Sequence, residues 1–360
     1  MEKLELNNKR ILLTGAAGFI GAHLALRLLR DCDRSVIVGV DDMNAYYDPA
    51  LKEYRLGLIR EAQKTSGSRF EFVKGSIADK ALMTHLGETY AFDIVVNLAA
   101  QAGVRYSIDH PDVYIESNLI GFFNILELCR HSYDGGKPGV QHLVYASSSS
   151  VYGGNQKVPF AVEDPVDHPV SLYAATKKSN ELMAHAYAKL YNVPATGLRF
   201  FTVYGPAGRP DMFYYSAAEK LCRGETIRIF NYGSCKRDFT YVDDVVEGVI
   251  RVMRGAPEKK TGADGLPVPP YAVYNIGGGR PENLMDFVSV LVEALMRADV
   301  LPADFDLESH LEPVPMQPGD VPVTFADSAA LERDFGFCPQ TGIREGLGAF
   351  AEWYRDYRKN

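Results

Sequence analysis

A chain of 360 residues, 46% hydrophobic and 23% charged, has the make-up of an ordinary globular protein, with length for one large α/β domain and a smaller lobe. Its formal charge of -8 argues against a nucleic-acid surface, which needs a concentrated basic patch, yet a pocket in an acidic protein can still hold an anion with a few arginines. No apolar run is long enough to cross a membrane, and the opening MEKLELNNKR lacks the charged-then-apolar pattern of a secretory leader, so neither is expected.

The first predicted strand, RILLT at 10–14, runs into Thr14-Gly15-Ala16-Ala17-Gly18-Phe19-Ile20-Gly21 and an amphipathic helix over 18–31. Glycines at that junction let the backbone turn tightly and approach a pyrophosphate, while the helix N-terminus offers free N–H groups to the anion. The spacing is GxxGxxG, so context has to support it. A second strand over 35–41 ends in Asp41, 20 positions after Gly21, where a carboxylate can accept both ribose hydroxyls of an adenosine. Asp41-Asp42 would repel a 2′-phosphate, so NAD is expected rather than NADP.

Strands over 69–75 and 92–100 flank a helix over 79–88, and Leu98-Ala99-Ala100-Gln101 places small residues where a cofactor would cross the carboxyl edge of a sheet. A helical pattern at 112–132 precedes the strand 140–147, which ends in the run Ser147-Ser148-Ser149-Ser150. Hydroxyls at that edge can share a reacting proton and orient a sugar. The next helix, 171–191, opens with Tyr173-Ala174-Ala175-Thr176-Lys177, whose phenol and ammonium lie on one face. A nearby cation stabilises a phenolate, and each pKa unit lowered corresponds to about 1.4 kcal/mol. A sixth strand follows at 196–201.

These near-continuously apolar strands alternating with helices predict an α/β fold, a doubly wound parallel sheet of Rossmann-like type. Beyond about 205 the elements shorten and Pro and Gly become frequent, which predicts a smaller C-terminal substrate-binding lobe. The expected division is 1–204 with about 237–256 and 271–277 for the NAD-binding domain, and 205–236 with 278–360 for the lobe. Five cysteines (Cys32, Cys129, Cys222, Cys235, Cys338) form no CxxC or Cys/His cluster, so reduced thiols in a cytoplasm are expected, with no metal site.

Gly15/Gly18/Gly21 with Ser148, Tyr173 and Lys177 resemble the extended short-chain dehydrogenase/reductase superfamily. Along nearly the whole chain the sequence is similar to its nucleotide-sugar epimerases, and most to the UDP-glucuronate 4-epimerases. The segments that carry this are DDMNAYYDPALKEYR (41–55), NLAAQAGVRYSI (97–108), ASSSSVYG (146–153), LRFFTVYGPAGRPDMF (198–213), KRDFTYVDD (236–244) and MQPGDVPVTFAD (316–327). The resemblance implies tightly bound NAD and a UDP-sugar substrate, with Tyr173, Lys177 and Ser148 as catalytic residues. It also implies a cofactor site of Gly15, Gly18, Phe19, Ile20, Gly21, Asp41, Asn44, Ser76, Ile77, Leu98, Ala99, Ala100, Gln101, Tyr173, Lys177 and Phe200.

For the substrate it implies Arg105, Ser148, Ser149, Ser150, Tyr173, Thr202, Arg209, Arg237, Gln317 and Asp320, and for assembly a homodimer through the helices near 112–132 and 171–191. The implied reaction is reversible C4 epimerisation of UDP-glucuronate to UDP-galacturonate through a 4-keto sugar. Serines at 149–150, where related 4,6-dehydratases carry Asp-Glu, remove the proton donors for water loss. Ser150 also stands where related decarboxylases usually carry Glu. Departures from the pattern lie at Ser76 (commonly Asp), Ala207 (commonly Trp), Phe213 (commonly small) and Gln317 (Arg in UDP-galactose 4-epimerases). A C4 epimerase of another UDP-sugar, a UDP-glucuronate decarboxylase and a catalytically silent NAD-binding protein remain the alternatives.

Overall fold

The computed structural model describes residues 1–316 and 321–359. Seven parallel strands form its main sheet: β1 (Arg10–Thr14), β2 (Val36–Asp41), β3 (Arg69–Lys74), β4 (Ile94–Asn97), β5 (His142–Ser148), β6 (Ala195–Phe200) and β7 (Tyr271–Ile276). Their order across the sheet is β3-β2-β1-β4-β5-β6-β7, so the chain reverses its direction of travel between β1 and β4. A crevice opens at such a switch point, outside the carboxyl ends of the strands. The strands expected from the sequence are found within a few residues of their predicted ends, and all of β4 is buried.

Both faces of the sheet are covered. On one, α1 (Phe19–Asp31) and a helix over Val242–Met253 bury Leu24, Leu28, Val245 and Val249 against Ile11, Leu13 and Ile37. On the other, the helices Lys80–Tyr90, Phe122–His131 and Leu172–Tyr191 contribute Met83, Ile125 and Ala184 to a cluster with Leu12, Val95 and Leu143. The alternation of strand and helix dictates this arrangement, because each crossover must carry its helix back over the sheet.

A second apolar cluster joins the helices Phe213–Cys222, Leu284–Arg297 and Ile343–Tyr357 through Tyr214, Leu291 and Phe350. It carries two short sheets: Thr202–Tyr204 with Lys236–Tyr241 and Pro281–Asn283, and Ile227–Phe230 with Leu311–Val314. Phe239 stacks on Phe287 at 3.7 Å between ring centres, which fixes the middle strand against the helical layer.

Two elements depart from the expected pattern. The helix predicted over 112–132 is interrupted: residues Ile115–Gly121 form a π-helical stretch before Phe122–His131. In that stretch the Asn118 carbonyl accepts from Asn180 at 2.7 Å, and its side chain exchanges hydrogen bonds with the backbone of Gln101. Widening a helix this way diverts backbone groups to outside partners. The second is α2 (Pro49–Gln63), started by Asp48 capping Ala50 N–H and by Pro49 in its first turn. Its inward face includes Lys52 and Arg55, so it lacks the unbroken apolar stripe that marks a helix in sequence.

Candidate active site

The crevice at the switch point is built first from backbone. Gly15 holds a left-handed φ of +71°, and a Cβ there would come within 2.8 Å of Ala99 N. At Gly21 a Cβ would lie 2.0 Å from the Gly15 carbonyl oxygen, and at Gly18 2.9 Å from the same atom. α1 therefore crosses the end of β1 backbone on backbone, and Gly18 caps it with no side chain over its first N–H groups. Such a helix start suits an anion bound by peptide N–H groups.

At the end of β2, Asp41 is buried and accepts from Ala17 N–H at 3.1 Å and Met43 N–H at 2.9 Å. Burial raises its carboxyl above the ordinary range, and Lys52 at 3.6 Å opposes that rise. Lys52 also reaches Asn44 Oδ1 at 3.2 Å, while Asn44 N–H donates to Asp42 at 3.0 Å. Two acidic side chains thus stand at this end of the crevice, as a diol acceptor requires and a 2′-phosphate would avoid.

At the other end lie the reactive groups. The strand β5 delivers Ser148 at its tip, and Ser171 caps the following helix so that Tyr173 falls in its first turn. Tyr173 packs edge-to-face on the buried Tyr114 ring at 6.0 Å. Burial raises its phenol pKa, while hydrogen bonding to Ser148 and the positive charge of Arg209 act downward. Lys177 sits one turn along, almost wholly buried, and donates to the Ala146 carbonyl at 2.9 Å. Removal from water lowers its ammonium to about 8. The sequence suggested Lys177 as the cation acting on the phenol; in the structure Lys177 lines the same crevice while donating to the Ala146 carbonyl, and the charge of Arg209 also acts downward on the phenol.

Beneath the serines, Ser147 donates to Glu181 at 2.7 Å, and Glu181 pairs with the buried Arg199 at 2.8 and 2.9 Å. Tyr152 links Arg199 to Asn275, tying β6 and β7 under the same loop. The partners are mutually satisfied, as a buried charge pair must be to persist.

All sixteen residues expected at the cofactor, from Gly15 to Phe200, line this one crevice, together with Ser148 and Arg209. Ser149, Ser150, Thr202, Arg105 and Arg237 do not line it. Ser150 lies just behind Ser148, which donates to its hydroxyl at 3.0 Å. Arg105 stacks over Phe230 at 4.7 Å, and Arg237 donates to the carbonyls of Lys236 and Pro322. Next to Arg237, the buried Asp238 accepts from Gly278, Gly279 and Ala326 N–H, which fixes the 277–279 turn. Gln317 and Asp320 lie outside the described residues. Sequence reasoning missed Tyr46, Tyr47, Lys52 and Met212, which also line the crevice; the first three belong to α2 or the turn before it.

Residues 11–277 match the NAD dependent epimerase/dehydratase family. The chain belongs to this family. Among curated relatives it is 47% identical over 356 residues to Protein CapI of Staphylococcus aureus, covering 97% of this chain and 99% of that one. It is 44% identical over 359 residues to a probable UDP-glucuronate 4-epimerase of Rhizobium meliloti (strain 1021), covering 97% and 98%. Among solved structures, UDP-glucuronic acid 4-epimerase from Bacillus cereus, in complex with UDP-glucuronic acid and NAD, superposes with a TM-score of 0.80. The two are 28% identical, with 97% of this chain and 99% of that one covered. For a member of an NAD dependent family, the three glycines, the uncapped helix start and the Asp41 acceptor fit the cofactor that the family name implies.

The lowered Lys177 pKa has a measurable consequence for this epimerase/dehydratase family member. An unfolded lysine keeps its proton up to the ordinary 10.5, whereas the buried one releases it near 8. Between those values the unfolded chain binds more protons, so stability rises with pH across that window. Relative to Lys177→Met, the cofactor-free parent is therefore expected to gain unfolding free energy as pH is raised from about 8 to about 10. Urea melts of both proteins across that range check it, and a difference that stays flat or falls contradicts the burial of a charged Lys177.

Proposed function

We propose that this chain is a UDP-glucuronate 4-epimerase that interconverts UDP-glucuronate and UDP-galacturonate with NAD held in the crevice. The observation that carries the reading is the convergence of Tyr173, Ser148, Lys177 and Arg209 at the end of the crevice opposite Asp41. Identity to the curated Rhizobium meliloti relative and likeness to the Bacillus cereus structure support the sugar choice.

In this reading Asp41 receives the adenosine ribose, the N–H groups at the start of α1 receive the pyrophosphate, and Lys177 holds the second ribose. NAD, when bound there, supplies the hydride acceptor and donor for oxidation and re-reduction at C4. Tyr173 takes the proton of the sugar 4-hydroxyl, helped by Ser148, and returns it to the oxygen of the 4-keto sugar once the other face is presented. Its buried phenol is held above the ordinary value by desolvation, so the charges around it decide when it can act as a base. Arg209 supplies one such charge.

The intermediate is a β-keto acid, which loses CO₂ when its carboxylate bond aligns with the carbonyl π system. Neutral donors beside the crevice lining, namely Ser149, Ser150 and Thr202, together with Arg105 or Arg209, are proposed to hold the carboxylate out of that alignment. No acid-base carboxylate pair stands at 149–150, which disfavours dehydration. Arg237, Gln317 and Asp320 are proposed to hold the UDP moiety.

The expected result is that purified protein converts UDP-glucuronate to UDP-galacturonate without added NAD, resolved by NMR. Tyr173→Phe should lower turnover by roughly 10²–10⁴-fold. A pentose product from the parent would make it a decarboxylase, and no product at all would contradict catalysis.

We further propose that two copies associate through the outer face of the helices 111–131 and Leu172–Tyr191. That face exposes Ile120, Phe123, Leu182 (60% exposed), Leu190 (68%) and Tyr191, an apolar stripe that a second copy would cover. Sedimentation velocity should give a dimer for the parent and a monomer for the Ile120→Asp/Leu182→Asp double variant; a monomeric parent at micromolar concentration rules the face out. The five cysteines are all free, which fits a reducing, cytoplasmic setting. No helix among the described residues is long and apolar enough to cross a membrane.

A further inference from the structure

We propose that Arg55 is a positioning residue that couples the cofactor turn to the loop presenting Arg209, so that occupancy of one site sets the geometry of the other. This rests on the reading of the crevice as a joint cofactor and sugar site.

Arg55 is 1% exposed, and it makes no salt bridge among the described residues. Its guanidinium is instead satisfied by neutral oxygens from three separate segments. Nη1 donates to the Ala17 carbonyl at 3.0 Å and to Tyr47 OH at 2.6 Å. Nε donates to the Ala207 carbonyl at 2.9 Å, and Nη2 to the Gly208 carbonyl at 2.9 Å. A planar fork with five N–H groups can make these bonds at once, whereas a lysine at the same place reaches only part of the set.

Each end of this clamp touches a functional segment. Ala17 is the residue between the glycines of the turn, and it is pinned on both sides: its N–H by Asp41 and its carbonyl by Arg55. The peptide that offers this carbonyl to Arg55 also closes the turn, its Gly18 N–H donating to the Gly15 carbonyl at 3.0 Å. At the other end, Ala207 holds a left-handed φ of +51°, a conformation alanine rarely adopts. That conformation, with Gly208 beside it, presents two successive carbonyls to the guanidinium immediately before Arg209. Arg209 then meets Asp211 at 3.2 Å, and Asp211 accepts from Tyr46 OH at 3.2 Å.

A buried cation without a carboxylate partner is stabilised further when an anion settles nearby. The helix start next to Ala17 is where the pyrophosphate is proposed to lie. Binding there should tighten the clamp, and through it the 205–212 loop, with the reciprocal effect required by linkage.

ADP is a suitable probe because it carries the adenosine and phosphates without the nicotinamide end near Arg209. Hydrogen exchange on the full-length parent, freed of bound NAD, should show ADP slowing amides in 205–212 by about threefold or more, besides those of the glycine turn. Arg55→Lys should remove the effect in 205–212. It should also weaken NAD affinity and raise KM for UDP-glucuronate together, each by about tenfold, while kcat at saturation falls less. A purely structural arginine would lower the melting temperature of Arg55→Lys and leave both affinities at parental values in the folded protein. That result, or unchanged 205–212 exchange in the parent with ADP saturating, overturns the proposal. Should Arg55→Lys not fold, the parental exchange measurement decides alone. A parent that lacks epimerase turnover yet shows the ADP effect would refute the catalytic reading and leave the clamp standing.

Discussion

At the start of α1 the chain packs backbone against backbone, and the rest of the site is arranged around that contact. Gly21 lies so close to the Gly15 carbonyl that a methyl group would overlap it, and Gly15 in turn abuts the backbone of Ala99 on the loop after β4. The peptide N–H groups there are left facing the crevice, with no side chain to cap them. A helix end of this kind can receive an anion, and its position at the switch point sets where a dinucleotide would run. The glycine turn is also the point at which Asp41 from β2 and Arg55 from α2 converge on the two sides of Ala17.

The electrostatics of the reactive end follow from exclusion of water. Burial alone works against both members of the Tyr173–Lys177 pair, raising the phenol and lowering the ammonium to about 8. A base made from a buried tyrosine depends on compensation, which the Ser148 hydrogen bond from β5 and the charge of Arg209 from the loop provide. Lys177, bonded to the Ala146 carbonyl, also lines the crevice. The loop 205–212 thus influences the chemistry without belonging to the main sheet, and its placement rests on Arg55 and on Tyr214, which donates to Gly205 at 3.0 Å.

The main sheet was readable in the sequence because its strands are apolar on both faces and separated by amphipathic helices. The glycines, Asp41 and the Tyr173–Lys177 pair were readable because their spacing carries chemistry. α2 was not, since its buried face includes Lys52 and Arg55, whose partners come from residues near in space and distant in sequence. The π-helical stretch at Ile115–Gly121 was equally hidden: a helical periodicity does not reveal that Asn118 turns its carbonyl to Asn180. The Glu181–Arg199 pair beneath Ser147 joins a helix to a strand and left no local signal either. Side chains that satisfy one another across elements are legible only once the fold is known.

The central claim is that this site removes the hydrogen from C4 of a UDP-sugar acid and returns it to the same carbon from the opposite face. UDP-glucuronate labelled with deuterium at C4, converted by the holoenzyme in ordinary water and followed by NMR, tests that directly. Product carrying the deuterium at C4, with none released to water, is the predicted result. Loss of the label to solvent, or its appearance at another carbon, would contradict it.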